Sequence, residues 1–164
     1  EILSLLKEGK SVALVSDSGT PLVSDPGFPL VREAIREGVR VESVPGASAV
    51  TAALTASGLP TERFSFLGFL PAKSSQRKKE LERVSHWDHT LVFFESPYRL
   101  IASLKDMLEV LGDREIAVCR ELTKKFEEVQ RGNLSEIIRY FSAKKILGEI
   151  VLVVAGEGRK KVLG

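Results

Sequence analysis

Polar, glycine-containing segments follow several apolar, β-branched runs of the chain, where the carboxyl ends of strands are expected. Ligands of an open sheet bind beyond these ends, so such segments are candidate binding loops. The longest, 16–27, combines glycine and proline, which fix tight turns, with hydroxyl groups and the carboxylates of Asp17 and Asp25. A connection of this length is usually functional, and we interpret it as a ligand-contacting loop. Asp25 itself is predicted to cap a helix that begins with Pro26.

Three shorter segments, 44–49, 94–99 and 120–125, have the same position after a run. The small residues of 44–49 either let a ligand approach the N–H groups at a helix start or serve close helix–sheet packing, and both interpretations are equally supported. Glu95 and Arg99 either face a cleft or form a helix cap with a surface pair, which alone is the favoured interpretation. The charges of 120–125 are substrate contacts or solvated loop charges, and in isolation the second is favoured.

A basic stretch at 73–83 holds five basic residues and two acidic ones. It is predicted to be a helix whose first part faces phosphate groups, although a solvated helix face has the same composition. A metal site is not predicted. The single cysteine, Cys119, excludes a disulfide within the chain and a cysteine-based zinc site. His86 and His89 lack an obvious third ligand.

The composition limits the class of protein. The 164 residues include 24 lysines and arginines and 22 aspartates and glutamates, which gives a net charge of +2. This balance gives no general attraction to nucleic acid, so any RNA-binding surface must be local. A hydrophobic fraction of 43% and a charged fraction of 28% are typical of a globular protein. The sequence has no apolar run near the roughly 20 residues of a membrane span and no signal peptide, which predicts a cytoplasmic protein without a membrane partner.

The hydrophobic pattern alternates between short apolar runs and longer segments with helical spacing. This alternation predicts an α/β fold with a largely parallel sheet. Predicted strands lie at 12–15, 39–44, 64–69, 90–94, 116–119 and 149–154. Predicted helices cover the apolar stripes at 30–35, 49–56 and 100–111, the last one opened by Pro97. Turn residues near 59–64 predict a boundary between an N-terminal part, 1–60, and a C-terminal part, 61–164.

Taken in this order, the polar segments resemble one protein family. They read Ser-Asp-Ser-Gly-Thr-Pro-Leu-Val-Ser-Asp-Pro-Gly at 16–27, Val-Pro-Gly-Ala-Ser-Ala at 44–49, Gly-Phe-Leu-Pro-Ala-Lys at 68–73 with Arg77, Phe-Glu-Ser-Pro-Tyr-Arg at 94–99 and Arg-Glu-Leu-Thr-Lys at 120–124. The resemblance is to the ribosomal small-subunit RNA methyltransferase I family, which methylates a ribose 2′-oxygen of a cytidine in 16S rRNA. That family is part of the tetrapyrrole methylase, or class III methyltransferase, superfamily.

The resemblance implies two α/β subdomains of the tetrapyrrole methylase type, with S-adenosylmethionine bound in the cleft between them. It also implies a homodimer and, as substrate, 16S rRNA in the small ribosomal subunit. Members of the family begin with a strand and a glycine-containing loop that precede the position of residue 1. The chain is therefore expected to lack part of the cofactor cleft.

Individual residues follow from the resemblance and from the chemistry of methyl transfer. By position, the resemblance places near the cofactor Thr20, Pro21, Val23, Ser48, Ala49, Phe94, Arg120, Gly148 and Glu149. Acceptors and cations expected to act at the reacting hydroxyl are Glu95, Arg120, Glu121 and Lys124. Cations expected to contact RNA phosphates are Lys73, Arg77, Lys78 and Lys79. Two alternatives stay open: a methyltransferase acting on a small tetrapyrrole, and a non-catalytic adaptor that binds ribosomes or another protein.

Overall fold

A computed structural model describes residues 1–158, which fall into two compact units. Unit 1 is Glu1–Ser48, and unit 2 begins at Ala49. The division between the units therefore falls after Ser48, earlier in the chain than the boundary at residue 60 predicted from the sequence. Across the described residues, no helix has both the length and the apolar character needed to cross a bilayer.

Unit 1 contains two helices, α1 (Ile2–Lys7) and α2 (Phe28–Arg36). Lys7, the last residue of α1, forms an ion pair of 2.9 Å with Glu37, which directly follows α2. The structure corrects one prediction here, because Gly27 and not Asp25 occupies the N-cap position of α2, without a side-chain cap. The helix therefore begins after Pro26, and a second proline lies in its first turn.

The two strands predicted in unit 1, at 12–15 and 39–44, do not form a ladder within the described residues. Their β-branched side chains fit a pleated surface, but a strand also needs a neighbour that completes its backbone hydrogen bonds. No strand of unit 1 supplies that neighbour in the part of the chain that the structure describes. As a consequence Val15 and Val44 are 84% and 88% exposed.

Unit 2 is a five-stranded sheet covered by helices on both faces. In chain order its elements are α3 (Ala49–Ser57), β1 (Phe64–Phe69), α4 (Ser74–Val84), β2 (Thr90–Glu95), α5 (Leu100–Leu111), β3 (Glu115–Arg120), β4 (Glu128–Asn133), α6 (Leu134–Ser142) and β5 (Ile150–Val154). Four predicted strands and the helices predicted at 49–56, 73–83 and 100–111 are thereby confirmed, and α2 of unit 1 confirms the helix predicted at 30–35. The segment that starts at Pro97 is a turn, and α5 begins only at Leu100.

The strand order is β1-β2-β5-β3-β4, and only β1 and β2 are parallel. The other three pairs are antiparallel, so the expectation of a largely parallel sheet is wrong. The sequence reasoning did not recognise β4, which follows β3 after the short loop 121–127. A connection of that length is too short for a parallel crossover, which takes a dozen or more residues. The last strand, β5, then enters between β2 and β3 in the opposite direction.

Each face of the sheet has its own apolar core, because successive side chains of a strand point to opposite sides. On one face α4, α5 and α6 cover a cluster that includes the fully buried Phe93, Met107 and Phe141. On the other face α3 covers a smaller cluster around Ala53 and Val92. Cys119 belongs to this second cluster, and its burial raises the pKa of the thiol to about 12. A thiol of that pKa does not act as a nucleophile at neutral pH.

Candidate functional site

One end of the sheet collects four of the residues predicted to lie near a cofactor. The last residues of β2 and β3, Glu95 and Arg120, are both paired with Ile150 at the start of β5. Since neighbouring strands lie about 4.8 Å apart, the ends of β2 and β3 are separated by roughly 10 Å. Phe94, Arg120, Gly148 and Glu149 therefore share this edge, which we call the strand-end site.

Phe94 lies on the face of the sheet that α3 covers. Its ring centroid is 4.7 Å from that of Phe66 and 5.5 Å from that of Phe69, both with edge-to-face geometry. Ala49 at the start of α3 packs against the same apolar cluster. Phe94 is half-buried, so part of its surface stays accessible at the strand-end site. Such a surface can take a flat, unsaturated ring by stacking or edge contact.

Glu95 points to the opposite face, where it is buried with 2% of its surface exposed. Oε1 accepts a hydrogen bond of 2.6 Å from the Ser96 backbone N–H, and Arg99 donates to the same oxygen at 3.0 Å. Oε2 accepts a hydrogen bond of 2.5 Å from the Ser103 hydroxyl on α5. A buried carboxylate needs such partners, and these fix the turn after β2 against α5.

Glu121 joins the loop after β3 to the turn before β5. Its backbone N–H donates to the Glu149 carbonyl at 2.9 Å, and its carboxylate accepts the Glu149 N–H at 2.8 Å. Lys124 donates to Glu121 at 3.2 Å and to the Glu149 carboxylate at 2.9 Å. The backbone hydrogen bond and Lys124 together lower the pKa of Glu121. This group, Glu121, Lys124, Gly148 and Glu149, is called the loop latch below.

Gly148 is an essential part of the loop latch. Its φ is +90°, which favours glycine, and a Cβ atom there would lie 2.5 Å from side-chain atoms of Glu121. The Glu121 side chain therefore occupies the space that a side chain at position 148 would need. The sequence motif that ends in Lys124 and the turn at Gly148, 24 residues further on, are brought together in this way.

Arg120 takes part in a second polar network, on the α6 side of the sheet. It donates to the Glu128 carboxylate at 2.9 Å and to the Leu147 carbonyl at 3.2 Å. The Tyr140 hydroxyl of α6 donates to the other oxygen of Glu128 at 2.6 Å, and Lys144 adds a third donor at 3.1 Å. The Tyr140 hydrogen bond is the largest cause that lowers the pKa of Glu128 to about 2, followed by Arg120 and Lys144.

The lowered pKa of Glu128 predicts an acid-sensitive network. The folded state favours the charged carboxylate, so its stabilisation is present above about pH 4.5 and is lost as the pH falls toward about 2. We expect Glu128→Gln to lower the free energy of unfolding at pH 7 by about 1–2 kcal/mol, less than the full pKa shift implies because the group is partly exposed. The difference should shrink toward zero near pH 2. Urea denaturation at several pH values measures both.

The exposed Glu62 provides the matched control for that experiment. Glu62→Gln removes one carboxylate of the same chemistry outside the network, so its effect should be small at every pH. A Glu128→Gln variant whose destabilisation is the same at pH 3 and pH 7 would contradict the role assigned to the carboxylate.

In unit 1, the structure connects two of the predicted ligand segments. The Thr20 hydroxyl donates a hydrogen bond of 2.9 Å to the Ala47 carbonyl, so the loop 16–27 is attached to the small-residue turn that ends at Ser48. Pro21 is half-buried, and Val23 is 41% exposed. An apolar side chain thus remains accessible beside backbone groups of the loop.

Backbone conformation separates the two candidate loops from the rest of the described chain. Four non-glycine residues in residues 1–158 have positive φ, and they are Leu22, Ser24, Glu121 and Thr123. Two lie in the loop 16–27 and two lie in the loop after β3. Such conformations cost free energy and persist where the surrounding structure holds them, which is frequent at functional sites.

The residues predicted to contact RNA divide into two groups. Arg77 is 3% exposed, and its guanidinium pairs with Asp106 of α5 at 2.6 Å and donates to the carbonyls of Pro71 and Ala72. The structure therefore removes Arg77 from the set of phosphate contacts. Arg77 instead fixes the loop before α4 to α5, since a buried cation requires a partner. The other three cations are Lys73, at the N-cap of α4, and Lys78 and Lys79, in the middle of the helix, and at least part of each side chain is accessible.

Lys78 differs from its two neighbours because it is paired. It donates to Glu109 at 2.6 Å and lies 3.8 Å from Asp106. The hydrogen bond to Glu109 is the largest of the causes that raise the pKa of Lys78. Lys73 and Lys79 are exposed, and they are the stronger candidates for contact with an anion.

Glu128, Tyr140 and Lys144 were missed by the sequence reasoning. They belong to β4 and α6 or directly follow α6, and neither element was recognised from the hydrophobic pattern. A usable signal was present at Asn133 and Glu136, which form a capping box at the start of α6. Within residues 1–158, no cluster of histidine, cysteine, aspartate or glutamate has the arrangement of a metal site.

The chain resembles known proteins along most of its length. A family model described as Tetrapyrrole (Corrin/Porphyrin) Methylases matches residues 1–138. Ribosomal RNA small subunit methyltransferase I of Thermotoga maritima is 51% identical over 157 residues, which cover 96% of this chain and 70% of that protein. The Bacillus subtilis protein of the same name is 47% identical over 162 residues, covering 99% of this chain and 56% of that protein. The chain thus spans little more than half of the second relative.

Solved structures show the same fold at lower identity. The methyltransferase CobJ matches with a TM-score of 0.71 and 23% identity, over 97% of this chain and 70% of that chain. Uroporphyrin-III C-methyl transferase from Thermus thermophilus, complexed with S-adenosyl homocysteine, matches with a TM-score of 0.55 and 24% identity, over 85% of this chain and 63% of that chain.

Proposed function

The chain belongs to the tetrapyrrole (corrin/porphyrin) methylase family, and from this premise we propose that the protein transfers a methyl group from S-adenosylmethionine to RNA of the small ribosomal subunit. The observation that carries the proposal is its 51% identity over 157 residues with the Thermotoga maritima methyltransferase. The proposed acceptor is a ribose 2′-oxygen of a cytidine in 16S rRNA. Such a substrate implies a cytoplasmic protein, and a homodimer is part of the same proposal.

Each unit has residues that suit the cofactor. In unit 1, the hydrogen bond from Thr20 to Ala47 holds a loop with accessible backbone groups beside a turn of small residues. In unit 2, the half-buried Phe94 offers an apolar aromatic surface of the kind that an adenine ring requires. The proposed cofactor contacts are Thr20, Pro21, Val23 and Ser48 in unit 1, and Ala49, Phe94, Arg120, Gly148 and Glu149 in unit 2.

When bound, S-adenosylmethionine would supply a methyl group on a sulfonium sulfur. An O–C bond would replace the C–S bond, whose electron pair stays on sulfur, and the hydroxyl proton would pass to water. The chain contributes positive charge at the strand-end site through Arg120 and Lys124. Cations placed there stabilise the negative charge that develops on a reacting oxygen. Lys124 is 43% exposed on its side chain and so remains accessible to substrate.

The two carboxylates predicted to act in catalysis have a different proposed role. Glu95 is held by three donors and Glu121 by the loop latch, so both are positioning residues for the segments that follow β2 and β3. Positioning matters because displacement of a methyl group requires the acceptor and the leaving group to be in line. Lys73, Lys78 and Lys79 are the proposed phosphate contacts.

The test is a methyl-transfer assay on the complete protein with radiolabelled S-adenosylmethionine. Small ribosomal subunits, free 16S rRNA and a porphyrinogen are offered in parallel, and binding of S-adenosylmethionine is measured by calorimetry. We expect label in the RNA, in a nucleotide whose 3′ linkage resists alkali, since a 2′-O-methyl group blocks that cleavage.

Two results would contradict the whole proposal, in different ways, and a third would contradict its ribose specificity alone. Transfer to the porphyrinogen with none to RNA would support a methyltransferase for small tetrapyrroles. Absence of S-adenosylmethionine binding by a folded protein would support a non-catalytic adaptor. Label in a base of the rRNA, with an alkali-sensitive backbone, would keep the substrate and overturn the ribose specificity alone.

A further inference from the structure

Two aromatic side chains in unit 2 are exposed close to the strand-end site, and no role has been assigned to either. Tyr98, in the turn after β2, is 90% exposed, and Phe126, in the loop after β3, is 65% exposed. Large aromatic side chains usually bury their surface, because exposure to water is unfavourable. Together these two are called the exposed aromatics.

Their loops leave the sheet at the same edge. Tyr98 follows Glu95 by three residues and Phe126 follows Arg120 by six, and these two strand ends are both paired with Ile150. The strand ends are about 10 Å apart, since only β5 lies between β2 and β3. The loops that carry the exposed aromatics therefore flank the strand-end site on both sides.

Each of the exposed aromatics has a cation next to it in its own loop. Lys125 lies over the Phe126 ring, with its Nζ 5.6 Å from the ring centroid, and Lys124 precedes it in the loop latch. Tyr98 is followed by Arg99, whose guanidinium is partly exposed while it pairs with Glu95. Aromatic rings placed among cations are typical of surfaces that bind single-stranded nucleic acid.

We propose that Tyr98 and Phe126 stack on unpaired bases that flank the target nucleotide, so that the strand-end site recognises its RNA as an unstacked single strand. This inference rests on the proposed function and adds the form of the substrate and two specificity-determining residues. Base–aromatic stacking tolerates any sequence, because every base has a π face. The cations then bind the phosphates, and the rings favour single-stranded RNA. They do not favour duplex RNA, because its bases are already stacked on one another.

The test compares single-stranded and duplex oligoribonucleotides from 16S rRNA as probes for the complete protein. Tyr98→Ala and Phe126→Ala should each weaken binding of the single strand by about 5- to 100-fold and raise KM for RNA more than they lower kcat. Tyr98→Phe and Phe126→Tyr keep a ring and should bind within about threefold of the parent protein. The salt dependence of binding should keep its slope, because no phosphate contact is removed.

Phe64 gives a control variant within unit 2. It is 41% exposed at the start of β1 and is paired with Thr90 at the start of β2, so Phe64→Ala removes a partly exposed ring at the opposite end of the sheet from the strand-end site. This variant should leave RNA affinity unchanged. S-adenosylmethionine affinity, measured on every variant, should equal that of the parent and shows that the fold is intact.

The outcomes separate this inference from the proposed function. If the parent protein binds the single strand and both alanine variants bind it equally well, stacking is overturned while the proposed function stands. If the parent protein neither binds RNA nor methylates it, the proposed function fails first. If the alanine variants change the molecular mass in solution, the exposed aromatics form an interface between copies of the chain, and stacking is likewise overturned.

Discussion

Arg77→Ala is expected to lower the free energy of unfolding by about 3–5 kcal/mol, because it leaves the carboxylate of Asp106 buried without its partner. Arg77 is 3% exposed, and it pairs with Asp106 at 2.6 Å. The substitution also removes donors from the carbonyls of Pro71 and Ala72, which lie directly before α4. The loss of stability should therefore exceed that caused by replacing any exposed lysine of the same helix with alanine.

Urea denaturation and RNA binding at several salt concentrations together decide the role of Arg77. A structural cation changes stability and leaves the salt slope of RNA binding in place, whereas a phosphate contact lowers that slope by about one. Lys79→Ala is the control, since Lys79 is exposed on the same helix. It should change stability by less than about 0.5 kcal/mol and reduce the salt slope.

The double variant Arg77→Met, Asp106→Leu makes the test sharper. Replacing both members of a buried pair by apolar residues of similar size is often close to neutral. It should therefore recover much of the stability that Arg77→Ala loses. If Arg77→Ala lowers the salt slope and leaves stability unchanged, the ion pair is not structural and the residue is a phosphate contact after all.

Arg77 also shows where reasoning from the sequence stops. A run of cations predicts a positive helix face, but one residue of this run turns inward to a carboxylate 29 positions further on. Separation along the chain carries no information on that pair, because it depends on how α4 packs against α5. Only the three-dimensional structure divides Arg77 from Lys73 and Lys79.

Strands with continuous apolar runs were predictable, because β2, β3 and β5 are buried on both faces and need apolar side chains throughout. The strand β4 was not, because it lies at the edge of the sheet and its sequence, Glu-Val-Gln-Arg-Gly-Asn, is mostly polar. The hydrophobic pattern also could not predict the direction of β5, because a buried strand needs apolar residues whether it runs parallel or antiparallel to its neighbours.

The candidate site was predictable as a set of strand ends but not as a set of contacts. Position after an apolar run identified the segments 94–99 and 120–125 and the loop 16–27, whereas Phe94 and Arg120 were placed near the cofactor only by the family resemblance. The roles of Glu95 and Glu121 depend on partners such as Ser103 and Gly148, which lie 8 and 27 residues away in the sequence. Charge and spacing suggested reacting groups at these positions, whereas the hydrogen bonds favour positioning roles.

The second large effect is expected at Gly148. A non-glycine residue at φ +90° is strained, and the new Cβ would lie 2.5 Å from the Glu121 side chain. Gly148→Ala should therefore displace Glu121, break its contacts with Glu149 and Lys124, and weaken S-adenosylmethionine binding by about tenfold or more. Calorimetric titration measures the affinity, and thermal unfolding measures the accompanying loss of stability.

Gly112 distinguishes the effect of backbone strain from the effect of the close contact with Glu121. Its φ is +78°, yet no atom lies within 4 Å of a Cβ atom at this position. Gly112→Ala therefore costs only the backbone strain, about 1–2 kcal/mol. It should leave cofactor affinity unchanged, because Gly112 ends α5 and is not part of the loop latch. Gly148→Ala should be the more destabilising of the two.

A double-mutant cycle with Glu121→Ala tests the mechanism of the loss. Truncating Glu121 clears the space above position 148, so Gly148→Ala should be less harmful in that background than in the parent protein. The two substitutions would then be non-additive, with the double variant more stable than the sum of the single changes implies. Strict additivity would mean that Glu121 does not fill the space at Gly148, and the loop latch would lose its basis. Non-additivity in both stability and cofactor affinity would tie the strand-end site to the contact between these two residues.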